Sequence, residues 1–258
     1  MKKLLIIAVL IFALAMVACG DSVENRLNTL DEMYEGMGVD NPFAENTPNQ
    51  NAQEETTPRP EPVAGSNANF EFLTYGTVGV TITKYIGGGA EVNIPAEIDG
   101  VPVTEIGRNA FLDNVNITSV IIPNTVTIIG QSAFSGCRSL ASINIPDGVT
   151  TIERSTFFAC IGLISVTIPD GVTTIGNSAF YDCRSLTSIT IPASVTRIDE
   201  SAFNTCLSLT EVYFEGLPPR MGINVFGIPA MRTDLTIFYK SGTDGWTNPW
   251  NGFATKSY

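Results

Sequence analysis

The stretch Leu163–Leu186, LISVTIPDGVTTIGNSAFYDCRSL, decides the fold. After Leu163 it alternates through Ser165, Val166, Thr167 and Ile168 and stops at Pro169. It resumes as Val172-Thr-Thr-Ile175-Gly176, then closes on Ser178-Ala179-Phe180, Cys183 and Leu186. Strict alternation suits a short strand with one buried face, and proline ends the strand because it has no N–H to give. Val172–Gly176 predicts a second short extended piece ended by a turn, and Ser-Ala-Phe a loop or helical turn on the convex side. No single piece of this length can bury its own apolar face, so it must stack on copies of itself.

The copies are present on both sides. Phenylalanines stand at 111, 134, 157, 180, 203 and 226, each 23 residues from the last. Pro123, Pro146, Pro169 and Pro192 keep the same step, as do Cys137, Cys160, Cys183 and Cys206, and Ile117, Leu140, Leu163, Leu186 and Leu209. The shared unit is I-P-x-x-V-T-x-I-G-x-S-A-F-x-x-C-x-S-L-x-S-I-x, and Leu140–Pro146 carries an L-x-x-L-x-L core. Such units form a solenoid with parallel strands and internal ladders of Leu, Ile, Phe and Cys. At roughly 4.8 Å per strand, about six turns make a rod near 30 Å long.

These residues resemble the BspA-like leucine-rich repeat family of bacterial surface proteins, from about residue 72 to 258. The resemblance includes an opening unit, Ile94-Pro95 through Ile106-Gly107, and an exit, Leu235–Tyr239 with Gly245-Trp246 and Pro249-Trp250. Two departures sit near the ends, where terminal repeats are atypical. Asn114 replaces the first cysteine, and 216–229 is irregular around Phe226. The fold expected is therefore a β-rich leucine-rich repeat solenoid of short parallel strands joined by loops or short helical turns, with 23-residue repeats and a cap at each end. The resemblance implies a surface, adhesion or interaction protein and names no ligand.

Residues 1–18 read as a lipoprotein signal peptide: two lysines, an apolar run from Leu4 to Ala18, then a cysteine. That run is shorter than the roughly 20 residues a spanning helix needs. Met16-Val17-Ala18-Cys19 resembles a lipobox, which implies lipidation of Cys19 and an exported protein anchored to a bacterial membrane, expected at the cell surface. Residues 19–69 are the lipidated N-terminus and an acidic Pro/Asn-rich tether, in which Val23, Leu27, Leu30, Tyr34 and Met37 keep helical spacing. A β cap and opening repeat are expected over 70–110, regular repeats over 111–216, and an irregular last repeat with the C-terminal cap over 217–258.

Composition excludes several functions. Fourteen Lys+Arg against 26 Asp+Glu give a net charge of −12, so nucleic acid is not an expected partner. No histidine is present, which removes Ser-His-Asp and Cys-His pairs and His-ligated zinc. Cysteines related by near-translation hold parallel Cβ vectors about 5 Å apart, whereas a relaxed disulfide wants about 3.8 Å. They read as buried free thiols. Gly87-Gly88-Gly89 lacks a following Lys-Ser/Thr and reads as a hairpin loop between Val80–Thr83 and Val92–Ile94. Glu153, Asp199 and Glu200 read as isolated, solvated carboxylates. No catalytic residue, metal or cofactor is expected, and the chain does not read as an enzyme.

One array looks like a site. The outward strand positions are Ser119 and Ile121, Ser142 and Asn144, Ser165 and Thr167, Ser188 and Thr190, Glu211 and Tyr213. The last eight, Ser142 to Tyr213, form a hydroxyl face ending in an aromatic, suited to hydrogen-bonding a protein or glycan. The bland alternative is filler that keeps a sheet soluble. Tyr213, Phe238, Tyr239, Trp246 and Trp250 have two readings, as binding aromatics or, the one expected, as a cover over the last open turn. The function expected is macromolecular binding, with adhesion to a host or matrix protein or to other cells as its use. The alternative is a structural or scaffolding envelope lipoprotein that binds the cell's own wall or surface proteins.

Overall fold

The structure, a computed structural model, describes residues 61–258. The signal peptide, Cys19, the 23–37 stretch and the tether up to residue 60 lie outside the described residues. The N-terminal cap is an antiparallel meander of β1 (Val63–Ser66), β2 (Phe70–Tyr75) and β3 (Gly79–Tyr85). It begins before the boundary expected at residue 70, because Val63–Ser66 pairs with Glu71–Thr74. Next come β4 (Glu91–Asn93), β5 (Glu97–Ile98) and β6 (Val101–Ile106). Strand β6 lies parallel to β3 and antiparallel to β5.

The hairpin expected around Gly87–Gly89 is not formed. Strand β4 starts a different sheet, and the glycines turn the chain round a corner, held by the Tyr85 hydroxyl and the Gly89 amide at 3.0 Å.

The later turns place their parallel strands on two sides. The L-x-x-L side holds β7 (Ser119–Ile121), β9 (Ser142–Ile143), β12 (Ser188–Ile191), β14 (Glu211–Phe214), β16 (Thr236–Tyr239) and β17 (Ala254–Ser257). The V-T-x-I side holds β8 (Ile128–Ile129), β10 (Thr151–Ile152), β11 (Thr174–Ile175), β13 (Arg197–Ile198) and β15 (Arg220–Met221). The result is a solenoid. Pairings such as Thr151↔Thr174↔Arg197↔Arg220 repeat the sequence period in space.

The Ser-Ala-Phe side is neither strand nor helix. Among the described residues the one helical element is the 3₁₀ turn Pro229–Met231. Ser132, Ser155, Ser178 and Ser201 take φ between 54° and 57°, a left-handed conformation that costs a non-glycine residue about 1–2 kcal/mol. Turn-to-turn bonds hold them there, Ser132 N–H donating to Arg154 C=O at 3.0 Å and Phe134 N–H to Thr156 C=O at 2.9 Å.

Inside, the six phenylalanines stack face to face with centroids 4.8 to 5.7 Å apart. Two residues that the period does not reveal continue the column. Tyr85 stacks on Phe111 at 5.3 Å, and Phe253 meets Phe226 edge-on at 5.8 Å. The four repeat cysteines are buried and do more than fill space. Each S–H donates to the carbonyl of the phenylalanine 26 residues earlier, at 3.0 to 3.2 Å. Burial pushes the Cys137 thiol from 9.0 to about 12, and raises Cys160 and Cys183 as well.

Sheet pairing lapses in the middle of the array. Strand β8 pairs with β6 but not with β10, and Ser165–Ile168 forms no strand, which separates β4-β7-β9 from β12-β14-β16-β17. The first lapse coincides with two substitutions. Glu153 stands in the row of Gly130 and Gly176, where a Cβ would lie 2.7 to 2.8 Å from a backbone nitrogen of the preceding turn. Thr156, fully buried, stands in the row of Ala133 and Ala179. Asp199 occupies the glycine row beside Ala202 with its ladder intact, so a Cβ there does not open the sheet unaided.

Candidate hydrogen-bonding face

The outward positions of the L-x-x-L side form two rows along the solenoid. Ser119, Ser142, Ser165, Ser188 and Glu211 make the first, with Ser119↔Ser142 and Ser188↔Glu211 in direct register. Ile121, Asn144, Thr167, Thr190 and Tyr213 make the second, with Thr190↔Tyr213 in register. Their even-numbered or odd-numbered neighbours Ile143, Val166, Ile189 and Val212 point into the core, so the alternation that makes the core also fixes this face.

Ser142, Asn144, Ser165, Thr167, Ser188, Thr190 and Glu211 are exposed, and Tyr213 is half-buried. They are not equivalent. Asn144 is engaged: its amide accepts from Ile122 N–H and donates to Ile122 C=O, both at 2.8 Å. It thus supplies to Ile122 the pair of bonds that a neighbouring strand would give. Tyr213 donates its hydroxyl to Glu211 at 3.0 Å, which raises the phenol's pKa. The hydroxyls of Ser142, Ser165, Thr167, Ser188 and Thr190 have no hydrogen-bond partner among the described residues, whereas Ser194 and Thr156 are bonded to main-chain carbonyls.

The lapse at 165–168 shapes the surface. No main-chain hydrogen bond joins Ser165–Ile168 to the turn on either side, and the last link before it is Ile164 N–H to Ala141 C=O at 3.2 Å. Two depressions open there. One of about 480 Å³ lies over Ser119, Ile121, Ser142, Asn144, Ser165 and Thr167. The other, of about 280 Å³, lies over Thr167, Ser188 and Thr190 and is edged by Asp170, Pro192 and Glu215. Both are open hydrogen-bonding surfaces. Among the described residues no group of His, Cys, Asp and Glu could hold a metal ion.

The exit aromatics divide. Tyr239, Trp246 and Trp250 close the end as expected. Tyr239 stacks on Trp246 at 5.4 Å, Trp246 and Trp250 pack on Phe214, and Trp246 donates its indole N–H to Gly216 C=O at 3.2 Å. Phe238 does not join them. It stands outward beside Tyr213, stacked at 4.8 Å, with Tyr258 edge-on to Tyr213 at 5.5 Å. The sequence hides this because β16 pairs with β14 at an offset of 25, not 23, through Glu211↔Thr236. Lys256, in register with Phe238, is missed for the same reason.

Charges elsewhere are ordinary. Asp199, read as isolated, is ion-paired with Arg197. Buried Arg232 donates to the carbonyls of Leu209 and Phe226, which face the end of the regular array and have no further regular turn to bond.

The family model for the BspA type leucine-rich repeat region matches residues 104–227 in six copies. The chain is similar to the T. pallidum leucine-rich repeat protein, at 35% identity and a TM-score of 0.54, covering 58% of this chain and 71% of that one. It is also similar to a leucine-rich repeat protein from Bacteroides ovatus, at 31% identity and TM-score 0.56, covering 70% and 48%. A leucine-rich cell surface protein from Faecalibacterium prausnitzii matches at 34% identity and TM-score 0.54, covering 69% and 55%. The chain therefore spans about half the length of the latter two. No curated protein matches. No helix among the described residues is long and apolar enough to cross a membrane.

Proposed function

Because the chain belongs to the BspA-type leucine-rich repeat family, we propose that it is a lipid-anchored, exported adhesin whose face between Ser142 and Tyr213 holds another macromolecule. One observation carries this reading: five outward hydroxyls in adjacent rows, Ser142, Ser165, Thr167, Ser188 and Thr190, have no partner of their own. A rigid array of free donors and acceptors on an open surface suits contact with a second surface. The similarity to a cell surface protein supports the location, and the lipobox-like Met16–Cys19 supports the anchor.

The test is made on cells that express the full chain. Ser165→Arg with Ser188→Arg blocks the face, and Thr150→Arg with Thr173→Arg places the same charge on the opposite side, at the exposed positions just before β10 and β11. Protease treatment of intact cells should release the domain. Adherence to a host-cell monolayer or to sister cells should fall for the first pair and persist for the second. Adherence equal in both pairs would refute the assignment of the face, and a domain that protease cannot reach would refute the location.

A further inference from the structure

We infer that the ligand of this face is an uncharged glycan, lying along the two rows with one sugar ring against Tyr213; the inference rests on the face being the binding site. The first observation is chemical. Between Ile121 and Tyr213 both rows carry only Ser, Thr and Asn. A protein ligand needs an apolar, well-packed interface centre and anchors such as Trp, Tyr or Arg in pockets. This floor has none, but each free hydroxyl can both donate and accept, as each sugar hydroxyl can.

The second observation is the wall that ends the floor. Phe238 lies on one face of the Tyr213 ring, nearly parallel at 4.8 Å and 13°. That separation equals a strand spacing, so the ring stands across the solenoid axis and its other face looks toward Thr190, its register neighbour on β12. An aromatic face carries negative potential and attracts the weakly positive C–H groups on the flat side of a sugar. The Glu211 bond to the Tyr213 hydroxyl holds the ring in this attitude.

The third is charge. Asp170 and Glu215 edge the depression beside Thr190, and Glu211 stands at the end of the first row. Carboxylates accept strong hydrogen bonds from sugar hydroxyls and repel sulfate or sialic acid. From Ser142 to Glu211 the row spans three steps, about 14 Å at roughly 4.8 Å each, the reach of a short oligosaccharide. The unpaired main chain at Ser165–Ile168 adds free N–H and C=O groups midway.

The full chain, purified in detergent, is titrated with malto-, cello-, manno- and chito-hexaose and with a chondroitin sulfate hexasaccharide by calorimetry and saturation-transfer NMR. An uncharged member should bind and the sulfated one should not. Thr167→Val with Thr190→Val keeps the β-branched shape and removes two hydroxyls, so affinity should fall about tenfold or more. Tyr213→Leu should abolish the signal and Tyr213→Phe, which keeps the ring and loses the Glu211 bond, should weaken it, while Thr150→Val beside β10 on the opposite side should change nothing. Circular dichroism of each variant separates a lost site from a lost fold. Failure of every uncharged hexaose to bind, or binding indifferent to the Val and Leu variants, overturns the glycan. If adherence is still lost in the Arg-blocked pair, the face remains the site and its ligand is a protein; if it is not, both readings fall.

Discussion

Truncating Phe157 to alanine should harm this molecule more than the same change at Phe226. Both rings are fully buried. Phe157 lies between Phe134 at 5.7 Å and Phe180 at 5.1 Å, and Phe226 between Phe203 at 5.5 Å and the edge of Phe253 at 5.8 Å. The local cost is similar, about 3–5 kcal/mol for a core Phe→Ala, or roughly 6–20 °C in Tm at 2–4 °C per kcal/mol for a domain of this size. The difference lies in what remains around the cavity. The turn that carries Phe157 has no sheet pairing to the turn before it, since β10 does not pair with β8, and the following 165–168 segment is unpaired as well. Ring, leucine and thiol columns and the turn-side bonds are its couplings to the turn before, β10 pairs only with β11 of the turn after, and solenoid stability is a sum of such nearest-neighbour terms. Phe157→Ala should therefore lower Tm further than Phe226→Ala and broaden the transition, as the two flanks melt separately. Calorimetry with hydrogen exchange on the Phe134 and Phe180 amides measures both. Equal or reversed shifts, or one sharp transition in Phe157→Ala, would show that the C-terminal cap governs the fold.

The double change Glu153→Gly with Thr156→Ala should let β10 close on β8; slower exchange at the Thr151 and Ile152 amides and a higher Tm would bear this out, and unchanged exchange would refute the steric account. The repeat thiols should resist iodoacetamide in the folded protein and all react after denaturation without reductant. Burial raises the folded pKa of Cys137, to about 12, and of Cys160 and Cys183, so these three thiols deprotonate first in the unfolded state. Stability should hold below about pH 9 and decline toward pH 12, by up to about 1.4 kcal/mol per pH unit per thiol, and Cys137→Ala should flatten the decline in urea titrations at several pH values. Arg232→Met should leave the Leu209 and Phe226 carbonyls unbonded and cost about 2–6 kcal/mol at roughly 1–3 per orphaned group; a Cm equal to wild type would rule out that role. Cys19→Ala should abolish incorporation of an acyl label, and persistent label would refute the lipobox.

What the period controls was readable in advance: the Phe, Leu and Cys columns, the inward and outward strand positions and the mid-array proline stops all follow from one repeating register. What breaks the period was not. Tyr85 and Phe253 end the ring column at spacings of 26 and 27 residues from their neighbours, so no repeat points to them. Phe238 was assigned to the cap because its strand is shifted by two residues, and one extra step would have turned it inward. The glycine run reads as a hairpin only if its flanking strands pair with each other, whereas β3 pairs with β6 and β4 with β7 of later turns. On the face itself, residue type announced hydroxyls but not which were free. Asn144 looks as available as Thr167 until its amide is seen to be spent on Ile122.

The αL serines at Ser132, Ser155, Ser178 and Ser201 cut one side of each turn to the same pattern, since each serine N–H meets the next turn through the same main-chain joint. Removal of the whole turn that carries Glu153 and Thr156 would bring together two surfaces of the regular glycine and alanine pattern, and the molecule would shorten by one rung with its ends untouched. The terminal pieces, Tyr85 with its meander and Phe253 with Arg232, are bespoke. Length is therefore a free variable in this architecture: a gene could add or drop rungs to match the reach of whatever lies along the face, with no new packing problem to solve.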